Sequence, residues 1–386
     1  MSGLIYVDHA ATTPLDRSVL AEMEPYLYEI FGNPSSIYQS AREARRALDE
    51  ARDTVADILN ARAREIVFTS GGSESDNLAI KGVAFANRSR GNHIITSQIE
   101  HHAVLHSCQY LEKFGFRVSY LPVDQYGVID LDLLRQEICD ETILVTIMYA
   151  NNEIGTIQPI EEIARICKGR RVYFHTDAVQ AAGALDLDVK RLGVDLLSLS
   201  GHKFYGPKGI GALFVRRGVQ YWPQLHGGTQ ERNRRAGTEN VAGIVGFAAA
   251  LRAAYQDFDR INSHSAKLRD RLIEGILSRV ENAVLTGHPK DRLSNNASFC
   301  VENIEGESIL LALDQRGIMA SSGSACTSAS LEPSHVLMAL GLPASLSHGS
   351  LRLTVGKDNT KEEVERVLVE LPAIIEKLRS LSGALV

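Results

Sequence analysis

Apolar positions along the chain fall into runs of two kinds that alternate. Residues 36–60, SIYQSAREARRALDEARDTVADILN, carry apolar side chains at helical spacing with charges opposite, and Asn60 is a suitable stop. A long amphipathic helix is predicted there. After it, strand-like runs alternate with helical ones: EIVFTS with SESDNLAIKGVAFA, HIITS with HAVLHSCQYLEKF, TILVTIMYA with IEEIARIC, and VYFHTD with AVQAAGA. Because these strand runs are apolar throughout, the pattern predicts a mostly parallel sheet sandwiched by helices. DLLSLS and IGALFV add two more strands.

Helical spacing returns in NVAGIVGFAAALRAAYQ and, after a polar joint, in SAKLRDRLIEGILSRV. Short strands at ASFCVE and SLRLTV then mix with helices at GESILLALDQR and KEEVERVLVELPAIIEKLRSL, an α+β pattern that predicts a second domain beyond the joint.

Composition narrows the function classes. With 44% hydrophobic and 23% charged residues, and no apolar stretch near the ~20 residues of a membrane span, a soluble globular protein is expected. The N-terminal MSGLIYVDHAATTP lacks the basic and apolar segments of a secretory signal, so a cytoplasmic location is expected. A formal net charge of -6 and the lack of a Lys/Arg block argue against nucleic-acid binding, which relies on a basic face. Cys108, Cys139, Cys167, Cys300 and Cys326 are odd in number and widely spread, which makes a disulfide framework or structural zinc site improbable.

In an open parallel sheet, ligands collect beyond the carboxyl ends of the strands. There EIVFTS is followed by Gly71, Gly72 and Ser73, a glycine turn opening a helix, which could hold an anion or merely cap the helix. No G-x-x-x-x-G-K-[ST] loop is present. VYFHTD ends in Asp177, a carboxylate that could seek a cation or cap the next helix, with Gln180 three residues on. DLLSLS ends in Ser200, followed by His202 and Lys203 and then by an aromatic residue and glycines. Lys203 is poorly explained as a solvated charge; partial desolvation would lower its pKa and make it a nucleophilic amine of the Schiff-base kind. Together an anion-binding helix start, a strand-end carboxylate and a strand-end lysine are the groups that pyridoxal 5'-phosphate requires. His102 and His106 have i, i+4 spacing, yet no H-E-x-x-H glutamate or third ligand supports a metal site. SSGSACTSAS, residues 321–330, is a run of small residues around Cys326 and predicts a pliant, exposed loop.

Over essentially its whole length the sequence resembles the cysteine desulfurases, the fold-type I pyridoxal-phosphate enzymes of aminotransferase class V. The resemblance is carried by VDHAATTP, FGNPSS, FTSGGSESDNLAIKG, EHHAVL, NNEIGTIQP, HTDAVQAAG, SLSGHKFYGPKGIGAL, GGTQERNRRAGTENV, SSGSACTSAS and GSLRLTVG. It implies a large α/β domain at 15–260 with a mostly parallel seven-stranded sheet. It also implies a smaller α+β domain, made of 1–14 and 261–386, that carries the catalytic-cysteine loop.

The same resemblance implies roles for individual residues. Lys203 would hold pyridoxal 5'-phosphate and then move protons, Asp177 would keep the ring nitrogen protonated, and Gln180 would bond the ring hydroxyl. Gly72, Ser73, Ser200 and His202 would hold the phosphate, with Thr238 reaching in from the second subunit of a homodimer. His101 would lie over the ring as an acid–base group. Asn152, which would also contact the cofactor, and Arg352 would anchor the carboxylate of L-cysteine, Arg352 through a two-pronged contact that a lysine cannot make. Cys326 would take the substrate's sulfur as a persulfide, leaving L-alanine. No resident metal is implied, although Cys326 could transiently ligate an iron–sulfur cluster. Acceptors such as an iron–sulfur scaffold or tRNA-thiolation proteins are the expected partners. A selenocysteine lyase, another class V aminotransferase and a non-catalytic cofactor-binding scaffold are the alternatives.

Overall fold

The computed structural model describes residues 3–323 and 333–383. Twelve strands form three sheets among the described residues. They are β1 (Ile5–Tyr6), β2 (Ile66–Thr69), β3 (His93–Ser97), β4 (Arg117–Leu121), β5 (Thr142–Thr146), β6 (Tyr173–Asp177), β7 (Leu196–Ser200), β8 (Gly211–Val215), β9 (Ala283–Leu285), β10 (Asn296–Val301), β11 (Ile318–Met319) and β12 (Ser350–Thr354). The central sheet is seven-stranded in the order β2-β8-β7-β6-β5-β3-β4. Its pairings are parallel except those of β8, which runs antiparallel to both β2 and β7.

Alternation along the strands builds the layers. Val145, Leu197 and Phe214 face one apolar cluster, with Leu48 and Val55 of helix Gln39–Ile58 and Phe247 of helix Val241–Gln256. Their neighbours Leu144, Leu196 and Leu213 face the other, with Leu78 and Val83 of helix Gly72–Ala86 and Val104 and Leu111 of helix His102–Glu112. Successive strand side chains point to opposite faces, so both faces are covered by helices and the strands read as continuous apolar runs. A separate cluster joins Ile5 and Val7 to Leu272, Phe299, Leu351, Leu353 and Leu368, around the sheet β12-β10-β9.

The long helix ends as expected: after its last residue, Ile58, Asn60 takes φ 51°, a left-handed stop. Two readings are corrected. AVQAAGA forms turns rather than a helix; Asp177 Oδ1 captures the N–H of Val179 at 2.9 Å, and Gly183 at φ 76° takes the chain out of any helical path. The polar joint before SAKLRDRL is itself helical, since helix Phe258–Arg279 begins after the single non-helical residue Asp257.

Candidate active site

The carboxyl ends of β2, β3, β5, β6 and β7 lead into one cavity of about 280 Å³. Gly72 and Ser73 line it from the helix that follows β2, His101 from beyond β3, Asn152 from beyond β5, Asp177 and Gln180 from β6 and its turn, and Ser200, His202 and Lys203 from β7 onward. Arg352 enters from β12, and Ala10 and Ala11 close a wall. Of the residues to which the resemblance gives a role, two are not in this lining. Cys326 lies outside the described residues. Thr238 is exposed and lines a different cleft with Arg235 and Glu239.

Local structure explains each placement. Helix Gly72–Ala86 starts at the cavity, and its first-turn N–H groups have no acceptor within the helix, which makes them anion donors. A Cβ on Gly72 would sit 2.7 Å from Val179 Cγ2, so a side chain there would require Val179 to shift. Lys203 ends a short 3-10 turn, Gly201–Lys203, and is followed by Phe204, which is buried. Its Nζ donates to the carbonyls of Ala10 at 2.6 Å and Ala11 at 2.8 Å, and Gln180 Nε2 donates to the same Ala10 carbonyl at 3.0 Å.

Electrostatics divide the titratable groups. Burial pushes Asp177 up to about 6, opposed by the N–H of Val179 and the charge of Lys203. Burial lowers His101 to about 4, helped by Lys203, so the ring is neutral at physiological pH. His101 caps helix His102–Glu112 by accepting the N–H of Ala103 at Nδ1, 3.1 Å, which leaves the proton on Nε2. The ring is thus a hydrogen-bond donor at its free nitrogen. His102 packs at a tilt against His106 and His335 with ring centroids 5.0 and 4.8 Å apart, and no group of three or more His, Cys, Asp or Glu suited to a metal occurs among the described residues.

Arg352 is buried at 2% exposure and held by Asp8 Oδ1 at 3.0 Å and the carbonyl of Asn152 at 3.0 Å, yet its Nε has no partner among the described residues. A guanidinium fixed on one side with a spare buried donor is suited to a carboxylate. Asp8, which the sequence reading missed, also accepts Ser321 Oγ at 2.6 Å and so ties Arg352 to the start of the cysteine segment. Glu153, also missed, accepts Ser334 Oγ, and burial raises it to about 7 against the opposing effects of Ser334 and Arg352. Its neighbour Asn152 was legible from the motif.

The donor set fits pyridoxal 5'-phosphate. A helix start with two hydroxyls and His202 suits the phosphate, a buried carboxylate suits a ring nitrogen, and a lysine amine suits the aldehyde.

The family model Aminotransferase class-V matches residues 5–367, and the chain belongs to that family. Within it, the chain falls among the cysteine desulfurases. It is 58% identical to "Cysteine desulfurase IscS" of Methanosarcina thermophila over 98% of this chain and 93% of that one. It is 54% identical to the protein of the same name from Clostridium botulinum over 99% and 97%. A solved structure named "NIFS-LIKE PROTEIN" superposes with TM-score 0.92 at 39% identity, covering 97% of this chain and 100% of that chain. Another, "SspA in complex with cysteine", reaches TM-score 0.81 at 38% identity over 92% and 100%.

Proposed function

We propose that this chain removes sulfur from L-cysteine to give L-alanine, passing the sulfur through Cys326 to an acceptor protein. The observation that carries this reading is the convergence of Lys203, Asp177, His101 and Arg352 on one cavity. Gly72, Ser73, Ser200 and His202 would hold the phosphate of pyridoxal 5'-phosphate, Asp177 its ring nitrogen, and Gln180 its ring hydroxyl. Bound to Lys203, the cofactor supplies an electron sink for the pair released from the substrate's Cα–H bond.

The chain's own groups do the rest. Arg352 and Asn152 hold the substrate carboxylate, which fixes the Cα–H bond within reach of Lys203 Nζ, the proton carrier. His101 would offer its Nε2–H into the cavity and needs no change of charge to do so. Cys326 as thiolate attacks the substrate sulfur: an S–S bond forms, the Cβ–S bond breaks, and the released electron pair takes a proton in forming alanine. The persulfide then serves acceptors such as iron–sulfur assembly or tRNA-thiolation proteins.

We also read residues 15–260 as the large domain and 1–14 with 261–386 as the smaller one, supported by the separate apolar cluster that contains both Ile5 and Leu272. A homodimer would bring Thr238 to the phosphate of the partner subunit. Supporting this, Thr238 is exposed on a segment that two ion pairs fasten to the rest of the chain, buried Arg52–Glu231 at 2.6 Å and Arg235–Glu74 at 2.9 Å. Glu231, Arg232 and Asn233 are all left-handed in the turn that leads there.

Incubation of the purified protein with L-cysteine and a reductant should release alanine and sulfide in equal amounts. Formation of a keto acid from an amino-group transfer, or strict dependence on selenocysteine, would overturn the reading. Arg352→Lys should lower kcat/KM for L-cysteine by about 10- to 100-fold, since a charged hydrogen bond contributes about 1.5–3 kcal/mol. Steady-state kinetics with the loaded variant check this, and an unchanged kcat/KM would remove Arg352 from the substrate site.

A further inference from the structure

Asp76 sits on helix Gly72–Ala86 but is turned inward, 1% exposed, and lines the cavity together with Asp177. Its Oδ1 has no hydrogen-bond partner among the described residues. The groups facing it are Asp177 and His175 from β6, Ser198 from β7, and Glu100 from beyond β3. None of these is a cation. His175 Nε2 is 3.7 Å from Asp76 Oδ1, past hydrogen-bonding reach, and its ring nitrogens are taken by Ser198 Oγ at 2.9 Å and Thr146 Oγ1 at 2.8 Å. Burial holds that ring neutral, with its pKa down at about 3. Glu100 is itself buried, bonded to Ser97 Oγ at 2.6 Å and to the N–H of Met148, and raised to about 8.

Two buried carboxyls thus line one cavity, and Lys203 favours the charge of only one. Asp177 has Lys203 and the N–H of Val179 on its side. Asp76 has burial and then the charge of Asp177 against it, with the Ser198 hydroxyl opposing, and is driven well above the usual carboxylate range. Like charges this confined do not both ionise, and the proton stays where no cation replaces it.

We propose that Asp76 is a positioning residue: it remains a neutral carboxylic acid beside Asp177, so that Asp177 alone presents negative charge toward the cofactor's ring nitrogen. The cofactor half of this statement rests on the function proposed above; the protonation of Asp76 does not.

Infrared spectra of the cofactor-free protein with carbon-13 in its aspartates test the protonation directly. Near neutral pH a label-sensitive carboxylic-acid C=O band is expected in the wild type and in Asp177→Asn, and its loss is expected in Asp76→Asn. A band that survives Asp76→Asn, or that is missing from the wild type, overturns the proposal. In the loaded protein, the midpoint of the acid-induced change in cofactor absorbance should stay within about half a unit in Asp76→Asn, because an amide replaces a neutral acid. Removal of an anionic neighbour would instead lower it by about one unit or more, and that result also overturns the proposal. If no cofactor absorbance forms at all, the functional reading fails while the infrared result still decides the state of Asp76.

Discussion

Replacing Lys203 with alanine is expected to lower L-cysteine turnover by about 10³-fold or more and to abolish the pyridoxyl adduct that borohydride reduction otherwise fixes on the protein. The size follows from two duties on one amine. Nζ is the only amine among the described side chains that line the cavity, so no neighbour can condense with an aldehyde there. On the proposed mechanism the same nitrogen also moves the substrate's α-proton, and losing a positioned proton carrier alone costs about 10²–10⁴-fold. A structural loss must be separated from a chemical one, because Nζ also fastens the carbonyls of Ala10 and Ala11. Lys203→Gln retains an N–H donor toward those carbonyls but no nucleophilic amine. It should keep the thermal stability of the parent more closely than the alanine variant while losing the adduct just as completely. Mass spectrometry of reduced, digested wild-type protein locates the adduct; finding it on another lysine would remove Lys203 from the centre of the mechanism.

The site's polar residues were legible wherever they end a strand. Asp177, Ser200 and Lys203 follow apolar runs that could only be buried strands, so their positions beyond the sheet edge were fixed by the pattern itself. Strand direction was not readable, since β8 is as apolar as its parallel neighbours although it runs the other way. β4 escaped notice because, at the sheet edge, Arg117–Tyr120 are exposed or half-buried and carry no continuous apolar run. AVQAAGA misled because alanines read as helix formers, whereas a side-chain hydrogen bond two residues away had already diverted the backbone. Asp76 could have been found. It falls in register with Ala79, Ile80 and Val83, which are buried, so a carboxylate was visibly placed on the apolar face of its helix. Asp8 and Glu153 carried no such mark, because their burial depends on segments remote in sequence: β12 for Asp8, and for Glu153 the chain near Ser334.

Cys326→Ala should leave cofactor absorbance at the wild-type level and reduce sulfide release from L-cysteine to background. The two halves separate because this chain's proposed cofactor-holding residues, Thr238 apart, line one cavity with Gly72, Asp177 and Lys203, whereas the thiol is on a segment whose described ends meet Arg352 and Glu153. Ser321 pairs with Arg352 across an antiparallel bridge, and the N–H of Gly323 donates to Ser350 Oγ at 3.3 Å. A Cβ on Gly323 would come within 2.6 Å of Glu153 Oε2 and 3.5 Å of Ser334 Cβ, so the two ends of the segment meet at one buried carboxyl. Alanine removes the sulfur nucleophile while adding no bulk among neighbours that are already small. On the proposed mechanism proton movement at Lys203 does not need the thiol, so in that variant solvent deuterium should still exchange into the α-position of L-cysteine while no alanine accumulates. Sulfide release at more than about a tenth of the wild-type rate would exclude a persulfide on Cys326 as an obligatory intermediate, because losing an essential nucleophile costs far more than tenfold. Loss of both exchange and absorbance would instead mean that the cysteine segment holds the cofactor site together.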